Sequence, residues 1–161
     1  MSKNEERSKV IDVLNIARGM ELYSIHQYMN QHYFLDDADY GKLAKVVKKI
    51  AIDEMRHAED FAERIKDLGG DPCTAHSERV MIAKDVRDIY SFNAATENDT
   101  TAKYNEFINV CREQSDQVTA NLFERIIEVE WEHYNYFDDV DRHIKELKES
   151  YLARMAGGDG E

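Results

Sequence analysis

Two Glu-x-x-His units are the residues of this chain with the clearest potential for metal chemistry. One unit contains Glu54 and His57, and the other contains Glu130 and His133. Residues three positions apart share one face of a helix, so each unit can offer a carboxylate oxygen and an imidazole nitrogen to the same ion. In a chain rich in glutamate, a single unit of this kind usually lies on the surface or forms hydrogen bonds within the core without binding metal. Further potential ligands nearby are needed to indicate a metal site.

Two further glutamates lie at matching distances from these units. Glu21 precedes Glu54 by 33 positions, and Glu97 precedes Glu130 by the same 33. Residues equidistant from the turn of an antiparallel hairpin lie at equal height, and the midpoints of both pairs fall inside turns that the sequence predicts. Each pair is therefore expected to meet across its hairpin, about 24 Å from the turn.

Four carboxylates in a bundle core repel one another and lose their hydration, a cost that cations relieve. Two divalent ions would balance the charge, and two neutral imidazoles would complete the di-iron carboxylate pattern known from helical bundles. Oxygen and nitrogen ligation suits iron or manganese better than zinc. By symmetry, Glu54 and Glu130 are predicted to bridge the ions. The six predicted metal ligands are also the predicted catalytic residues: Glu21, Glu54, His57, Glu97, Glu130 and His133.

Hydrophobic periodicity predicts the elements that carry these residues. Apolar residues recur at helical spacing over four long stretches, with a long connection at residues 70–83. This pattern predicts an all-α fold, a long four-helix bundle forming a single domain over residues 1–161. The predicted helices cover residues 8–35, 40–68, 84–112 and 116–147, with a short fifth helix at 150–156.

Composition and charge exclude several classes of partner. The chain has 161 residues, of which 42% are hydrophobic and 34% charged, as is typical of a globular protein. Its formal net charge of −12 would repel a phosphate backbone, so nucleic acid is excluded as the main partner. No apolar run is long enough to span a membrane. Cys73 and Cys111 lack the spacing of a disulfide framework, and we expect a cytoplasmic protein.

Met55 is a further candidate ligand, on a different helix face from the predicted metal site. It lies about 100° around the helix from Glu54 and is expected to point out of the bundle. Leu22, Ile25 and Met29 form a similar stripe on the first helix, and such stripes usually mark a subunit interface. The Met55 thioether either packs there, the commoner role, or binds haem iron. The other histidines have no matched partner and are expected to be ordinary surface or interface residues: His26, His32, His76 and His143.

Three segments of the chain resemble bacterioferritin, namely residues 21–29, residues 52–59 and the later unit of Glu130 and His133. The resemblance extends over nearly the whole chain, including the long connection and the short fifth helix. It implies a ferritin-like four-helix bundle with a long crossover between the second and third helices. It also implies that the six predicted ligands form a ferroxidase centre within one subunit.

The resemblance further implies an iron-storage ferroxidase. Such a protein oxidises Fe(II) with O₂ or H₂O₂ at the di-iron centre and stores the Fe(III) mineral inside a hollow homo-oligomeric shell of 24 subunits. Met55 occupies the position of the family's haem ligand, so it would bind a haem shared at a two-fold subunit interface. A separate electron-donor protein would assist the release of iron.

Some positions depart from the best-known members of that family. On the inner surface, Lys49 and Ile50 replace two residues that help to pass electrons or iron, and only Asp53 remains. Near the centre, Tyr28 matches the family, whereas Phe61 and Tyr136 replace other aromatic residues. Electron delivery is therefore expected to differ in detail.

Two other classes of function compete with iron storage. A discrete di-iron redox enzyme, such as a rubrerythrin-like peroxidase, would use the same ligands, but such proteins usually add a paired CxxC iron site that this chain lacks. A metal-free helical interaction module is the third class. Native mass and visible absorption distinguish a large haem-coloured particle, a small di-iron protein and a small colourless bundle.

Overall fold

A computed structural model describes residues 3–158 as five α-helices joined by turns and one long crossover. The ends of the predicted domain, residues 1–2 and 159–161, lie outside this range. The predicted all-α, ferritin-like fold is confirmed. The helices are α1 (Lys3–Asp37), α2 (Gly41–Asp67), α3 (Ile89–Glu113), α4 (Gln117–Leu147) and α5 (Glu149–Met155).

The long helices form two hairpins that pack side by side. Short turns at residues 38–40 and 114–116 connect α1 to α2 and α3 to α4, and each helix of one hairpin also lies against one helix of the other. Asp39 and Ser115 adopt left-handed backbone conformations in these turns, with φ of 65° and 60°. Asp116 then caps α4 by accepting a hydrogen bond from the Thr119 N–H, and Arg64 of α2 binds the same carboxylate at 3.0 Å.

The structure places two helix starts differently from the sequence pattern. Helix α1 begins at Lys3, before the predicted start at residue 8, and α3 begins at Ile89, after the predicted start at residue 84. The delay in α3 has a local cause. Residues 86–88 form a 3₁₀ turn, which Asp85 caps by accepting a hydrogen bond from the Arg87 N–H at 2.8 Å.

The apolar core consists of two clusters, one towards each end of the bundle. Leu14, Phe61 and Phe123 belong to one cluster, and Leu35 and Phe137 belong to the other. Buried polar residues of all four long helices occupy the region between the clusters. The hydrophobic core therefore positions a polar layer instead of continuing through the bundle. None of the helices in residues 3–158 combines the length and the apolarity that crossing a membrane requires.

The crossover between α2 and α3 has little regular secondary structure, yet it is fixed to α1 at several points. Arg18 donates a hydrogen bond to the Cys73 carbonyl at 3.0 Å, and the Ser77 N–H donates to the Gly19 carbonyl at 2.9 Å. Gln27, fully buried, donates to the Met81 carbonyl at 2.9 Å and accepts from the Met81 N–H at 2.7 Å. These bonds satisfy backbone groups that an irregular segment would otherwise bury unpaired.

Replacing Gln27 with Ala should therefore destabilise the protein. The variant loses both hydrogen bonds to Met81 and leaves polar backbone groups without partners, so the free energy of unfolding should fall by about 1–3 kcal/mol. Urea unfolding followed by circular dichroism measures the change. Gln117→Ala, at an exposed helical glutamine, is the matched control and should have an effect within about 0.5 kcal/mol. Equal effects of the two substitutions would contradict the anchoring role of Gln27.

Candidate metal centre

The structure brings all six sequence-predicted ligands into one buried cluster at the middle of the bundle. Helices α1 and α3 each supply one glutamate, while α2 and α4 each supply a Glu-x-x-His unit. The four carboxylates are at most 1% exposed and the two imidazoles at most 6% exposed. Bulk water is therefore excluded from the cluster, and the charges interact in a medium of low polarity.

The donor atoms divide into two overlapping sets, each with all its atoms within 4.8 Å of one another. Each set contains three carboxylates and one imidazole, and Glu54 and Glu130 belong to both. Two ions held by these sets would therefore share two carboxylates, and each would have its own terminal glutamate and histidine. The sets are Glu21, Glu54, His57 and Glu130, and Glu54, Glu97, Glu130 and His133.

The two shared carboxylates each direct one oxygen to each histidine. Oε2 of Glu54 and Oε1 of Glu130 lie 3.0 and 3.1 Å from Nδ1 of His57. The other two oxygens, Oε1 of Glu54 and Oε2 of Glu130, both lie 3.1 Å from Nδ1 of His133. A carboxylate that bridges two ions requires this division of its oxygens between the two sides.

Two fully buried tyrosines fix the terminal glutamates. The Tyr28 hydroxyl donates a hydrogen bond to Oε1 of Glu97, and the Tyr104 hydroxyl donates to Oε1 of Glu21. Each bond crosses between α1 and α3. A carboxylate held in this way keeps its other oxygen free for a ligand.

Sequence reasoning missed Tyr104, although a signal for it exists. Glu97 follows Glu21 by 76 positions, and Tyr104 follows Tyr28 by the same 76. The two Glu-x-x-His units are also 76 positions apart. A search for side chains repeating at this offset would have found the second tyrosine.

Two other predicted residues lie outside the cluster. Asp53 places a carboxylate oxygen 3.7 Å from Nε2 of His133, too far for a direct hydrogen bond, and accepts a hydrogen bond from Arg56 at 2.7 Å. Met55 is 53% exposed on the outer side of α2. Its thioether cannot reach the buried donors from there, so any ligand role for it belongs to another site.

Burial and repulsion between carboxylates raise the pKa values of the terminal glutamates, so these groups keep their protons to higher pH. Burial raises the pKa of Glu97 well above its usual value, and the charges of Glu130 and Glu54 raise it further. The pKa of Glu21 is raised by burial and by Glu130. Burial alone would lower the pKa of His133, but the carboxylates of Glu130 and Glu54, each with an oxygen 3.1 Å from Nδ1, prevail and raise it to about 10.

The second histidine follows the same balance. Burial lowers the pKa of His57, while hydrogen bonds to Glu130, Glu21 and Glu54 raise it by more, so the net shift is upwards. Both imidazoles are thus cationic near neutral pH and partly balance the carboxylates. A metal ion that binds Nδ1 must displace the proton there.

The donor set fits a pair of divalent cations. Among the described residues, no well-aligned donor forms a hydrogen bond with the buried Oε1 of Glu54, although Nδ1 of His133 lies 3.1 Å from it. Four carboxylates carry a charge of −4 when ionised, which two divalent ions balance once the imidazoles are neutral. Hard oxygen donors with imidazole nitrogen suit iron or manganese. The cluster is therefore chemically incomplete without cations.

The pKa shifts predict how stability depends on pH in the metal-free protein. All four shifts are upwards, so the folded cluster binds more protons than the unfolded chain, whose glutamate and histidine pKa values are near 4.5 and 6.5. The stabilisation is complete below the unfolded pKa values and is lost as pH rises through the folded ones, about 10 for His133. The free energy of unfolding should thus decrease from about pH 5 to pH 9.

Urea unfolding at several pH values measures this dependence. His133→Gln should reduce the slope, because it removes one of the titrating groups, whereas Gln117→Ala removes no titrating group and should leave it unchanged. Protein loaded with Zn²⁺ should become more stable as pH rises, because the ions compete with protons for the same atoms. A metal-free protein whose stability rose with pH over this range would contradict the inferred protonation.

Comparison with known proteins agrees with this geometry. The family model described as a ferritin-like domain matches residues 11–147. Bacterioferritin from Desulfovibrio desulfuricans is 55% identical over 156 residues, covering 97% of this chain and 87% of that protein. Bacterioferritin from Mycolicibacterium paratuberculosis is 32% identical over 130 residues, covering 81% of this chain and 82% of that protein.

Solved structures give the same assignment. The crystal structure of D. desulfuricans bacterioferritin matches this chain with a TM-score of 0.96, and the match covers 98% of this chain and 92% of that chain. That structure is described as showing the di-iron site in different catalytic states. Rhodobacter capsulatus bacterioferritin is 29% identical to this chain, with a TM-score of 0.90, and the match covers 96% of this chain and 98% of that chain. Its structure is described as having a metal-free dinuclear site and haem iron in a crystallographic special position. By its sequence and by its fold, this chain belongs to the bacterioferritin family.

Proposed function

We propose that this chain is an iron-storage ferroxidase whose buried cluster binds two ferrous ions as substrate. The observation that supports this most directly is the membership of Glu54 and Glu130 in both donor sets. A shared pair of carboxylates holds two ions close together, which suits the removal of one electron from each. Ferrous iron supplies these two electrons to O₂ or H₂O₂.

We propose distinct tasks for the chain's own residues. Glu54 and Glu130 bridge the two positions, whereas Glu21 with His57 and Glu97 with His133 hold one position each. Tyr28 and Tyr104 keep the terminal carboxylates in one orientation through their hydrogen bonds. The apolar clusters on both sides of the layer exclude water and strengthen the electrostatic attraction for cations.

Proton movement accompanies iron binding in this proposal. His57 and His133 hold protons at Nδ1 while the carboxylates are their partners, and each must release its proton before the nitrogen binds a cation. The positive charge removed with the protons is replaced by that of the ions. The cluster therefore exchanges protons for metal ions as its counter-charges.

A discrete di-iron redox enzyme is the alternative, and it is not favoured. The relatives compared above are bacterioferritins that align over most of this chain. The extra CxxC iron site of rubrerythrin-like proteins has no counterpart in the sequence.

We further propose that Met55 binds haem at a two-fold interface between subunits. Its side chain is 53% exposed on α2, with exposed Ile52 close by along the helix. An exposed methionine beside an exposed isoleucine is suited to an interface, and thioether sulfur is an established haem-iron ligand. In R. capsulatus bacterioferritin the haem iron occupies a crystallographic special position.

For the assembly, we propose a homo-oligomeric shell, with 24 subunits as the expected number, that stores the ferric mineral. Exposed large apolar side chains occur on several helices, including Ile16 and Tyr33 on α1 and Val118 on α4, and burying them between subunits would be favourable. An electron-donor protein would deliver electrons for iron release. The free thiols of Cys73 and Cys111 suit the cytoplasm.

Removing a bridging carboxylate should abolish rapid iron oxidation. Glu54→Ala or Glu130→Ala leaves neither ion position complete, so the initial rate of Fe(II) oxidation should fall by at least about a hundredfold, while the native mass is unchanged. Stopped-flow absorbance after anaerobic addition of Fe(II) and mixing with O₂ measures the rate. Glu132→Ala, an exposed glutamate inside the same Glu-x-x-His unit, is the control and should keep the parental rate. Parental rates in the bridging variants would refute the assignment.

Replacing Met55 with Leu should separate haem binding from iron oxidation. The substitution keeps the apolar volume at a cost usually below about 1.5 kcal/mol, so assembly and ferrous oxidation should persist. The haem absorption band should disappear, and release of stored iron by an external reductant should slow. Met20→Leu, a half-buried methionine that packs against the core, controls for the loss of a thioether. A full haem band with unchanged axial-ligand spectra in Met55→Leu would mean that Met55 only packs.

A further inference from the structure

Two surface histidines lie together on the side of α1 that faces the crossover. The ring centroids of His26 and His76 are 5.2 Å apart, with 60° between the ring planes, contrary to the expectation that neither has a matched partner. Both side chains are exposed. The two positions are 50 residues apart in the sequence, and the crossover has no regular period, so no pattern predicts the pair.

The backbone around His76 is held in place. Hydrogen bonds from Arg18 to the Cys73 carbonyl, from Ser77 to Gly19, and between Gln27 and Met81 fix the crossover to α1 on both sides of His76. His26 lies on α1 itself, beside Gln27. The two imidazoles are thus carried by backbone segments whose relative position is fixed, which lowers the entropic cost of binding one ligand between them.

The ring of His76 is also oriented. Its Nδ1 lies 2.6 Å from the Glu78 carbonyl oxygen, which can only accept a hydrogen bond, so Nδ1 carries the proton. The lone pair is then on Nε2. Histidine ligands of metal ions commonly have this arrangement, with one ring nitrogen bonded to a carbonyl and the other free to bind the ion.

The distance between the rings matches a shared ion. At a metal–nitrogen distance of about 2.0–2.1 Å, two imidazoles on one tetrahedral ion have ring centroids about 5 Å apart.

The surroundings favour a cation. The Glu78 side chain is exposed two positions after His76. Burial, and then the charge of Glu78, raise the pKa of Tyr23, which lies one turn before His26 on α1. Glu78, Ser77 and Tyr23 line the same cavity between α1, α3 and the crossover. A carboxylate is therefore present on this surface to attract a divalent ion.

We propose that His26 and His76 form a second metal site, which binds a divalent first-row transition-metal ion through two imidazole nitrogens, with water in the remaining positions and Glu78 as a nearby negative charge. The site is separate from the buried cluster. His26 lies five positions after Glu21, about 140° around the helix from it. The proposal does not depend on iron oxidation at the buried cluster.

Copper is the most sensitive probe, because Cu²⁺ binds imidazole most tightly in the divalent series and its electron paramagnetic resonance spectrum reports bound nitrogen. The buried cluster of the assembled protein is first filled with two equivalents of Zn²⁺ per chain, and substoichiometric Cu²⁺ is then added. We expect a spectrum with two equivalent nitrogens. His26→Gln and His76→Gln should each weaken Cu²⁺ binding by about tenfold or more and remove one nitrogen from the spectrum.

Two controls make the result specific. His143→Gln removes a histidine whose ring contacts Tyr151, and it should change neither the affinity nor the spectrum. Glu78→Gln should weaken binding by less than loss of an imidazole and keep both nitrogens. Circular dichroism establishes that each variant is folded. Parental affinity in His26→Gln and His76→Gln, or a parental spectrum showing one nitrogen, would overturn the proposal even if iron oxidation at the buried cluster were fully established.

Discussion

The four buried glutamate carboxylates in the middle of the bundle are the constraint on which the rest of the structure depends. Each is at most 1% exposed, so hydration cannot stabilise its charge. Two kinds of neighbouring side chain stabilise the buried carboxylates. Tyrosine hydroxyls donate to the terminal carboxylates Glu21 and Glu97, and the imidazoles of His57 and His133 contact the two shared ones. The apolar core divides into two clusters because this polar layer lies between them.

Binding two similar ions requires two similar half-sites, and the chain builds them by repeating one hairpin. Glu21, Tyr28 and the first Glu-x-x-His unit recur 76 positions later as Glu97, Tyr104 and the second unit. The long crossover returns the chain to the end of the bundle where the second hairpin must begin. Its hydrogen bonds to Arg18 and Gln27 of α1 satisfy the backbone of a segment that has little helix of its own. The loop is thus a consequence of the symmetry of the site.

The sequence predicted those parts of the structure that follow from regular geometry. Helical spacing and the equal separations of Glu21 from Glu54 and of Glu97 from Glu130 sufficed to predict the bundle and to place the four carboxylates at one height. The irregular backbone could not be predicted in the same way, because the 3₁₀ turn before α3 depends on a local cap formed by Asp85. The contact of His26 with the crossover depends on tertiary hydrogen bonds that leave no periodic signal.

The choice of counter-charge determines what the site can do. Arginine or lysine would neutralise buried carboxylates, but arginine does not lose its proton in proteins, so a cation introduced in this way would remain and repel a metal ion. The buried polar and charged residues of the described chain include neither arginine nor lysine. The balancing charge is instead held by His57 and His133, whose protons a metal ion can replace. The cluster can therefore gain free energy when ferrous iron enters, because the groups that balance its charge in the absence of metal are also the ligands.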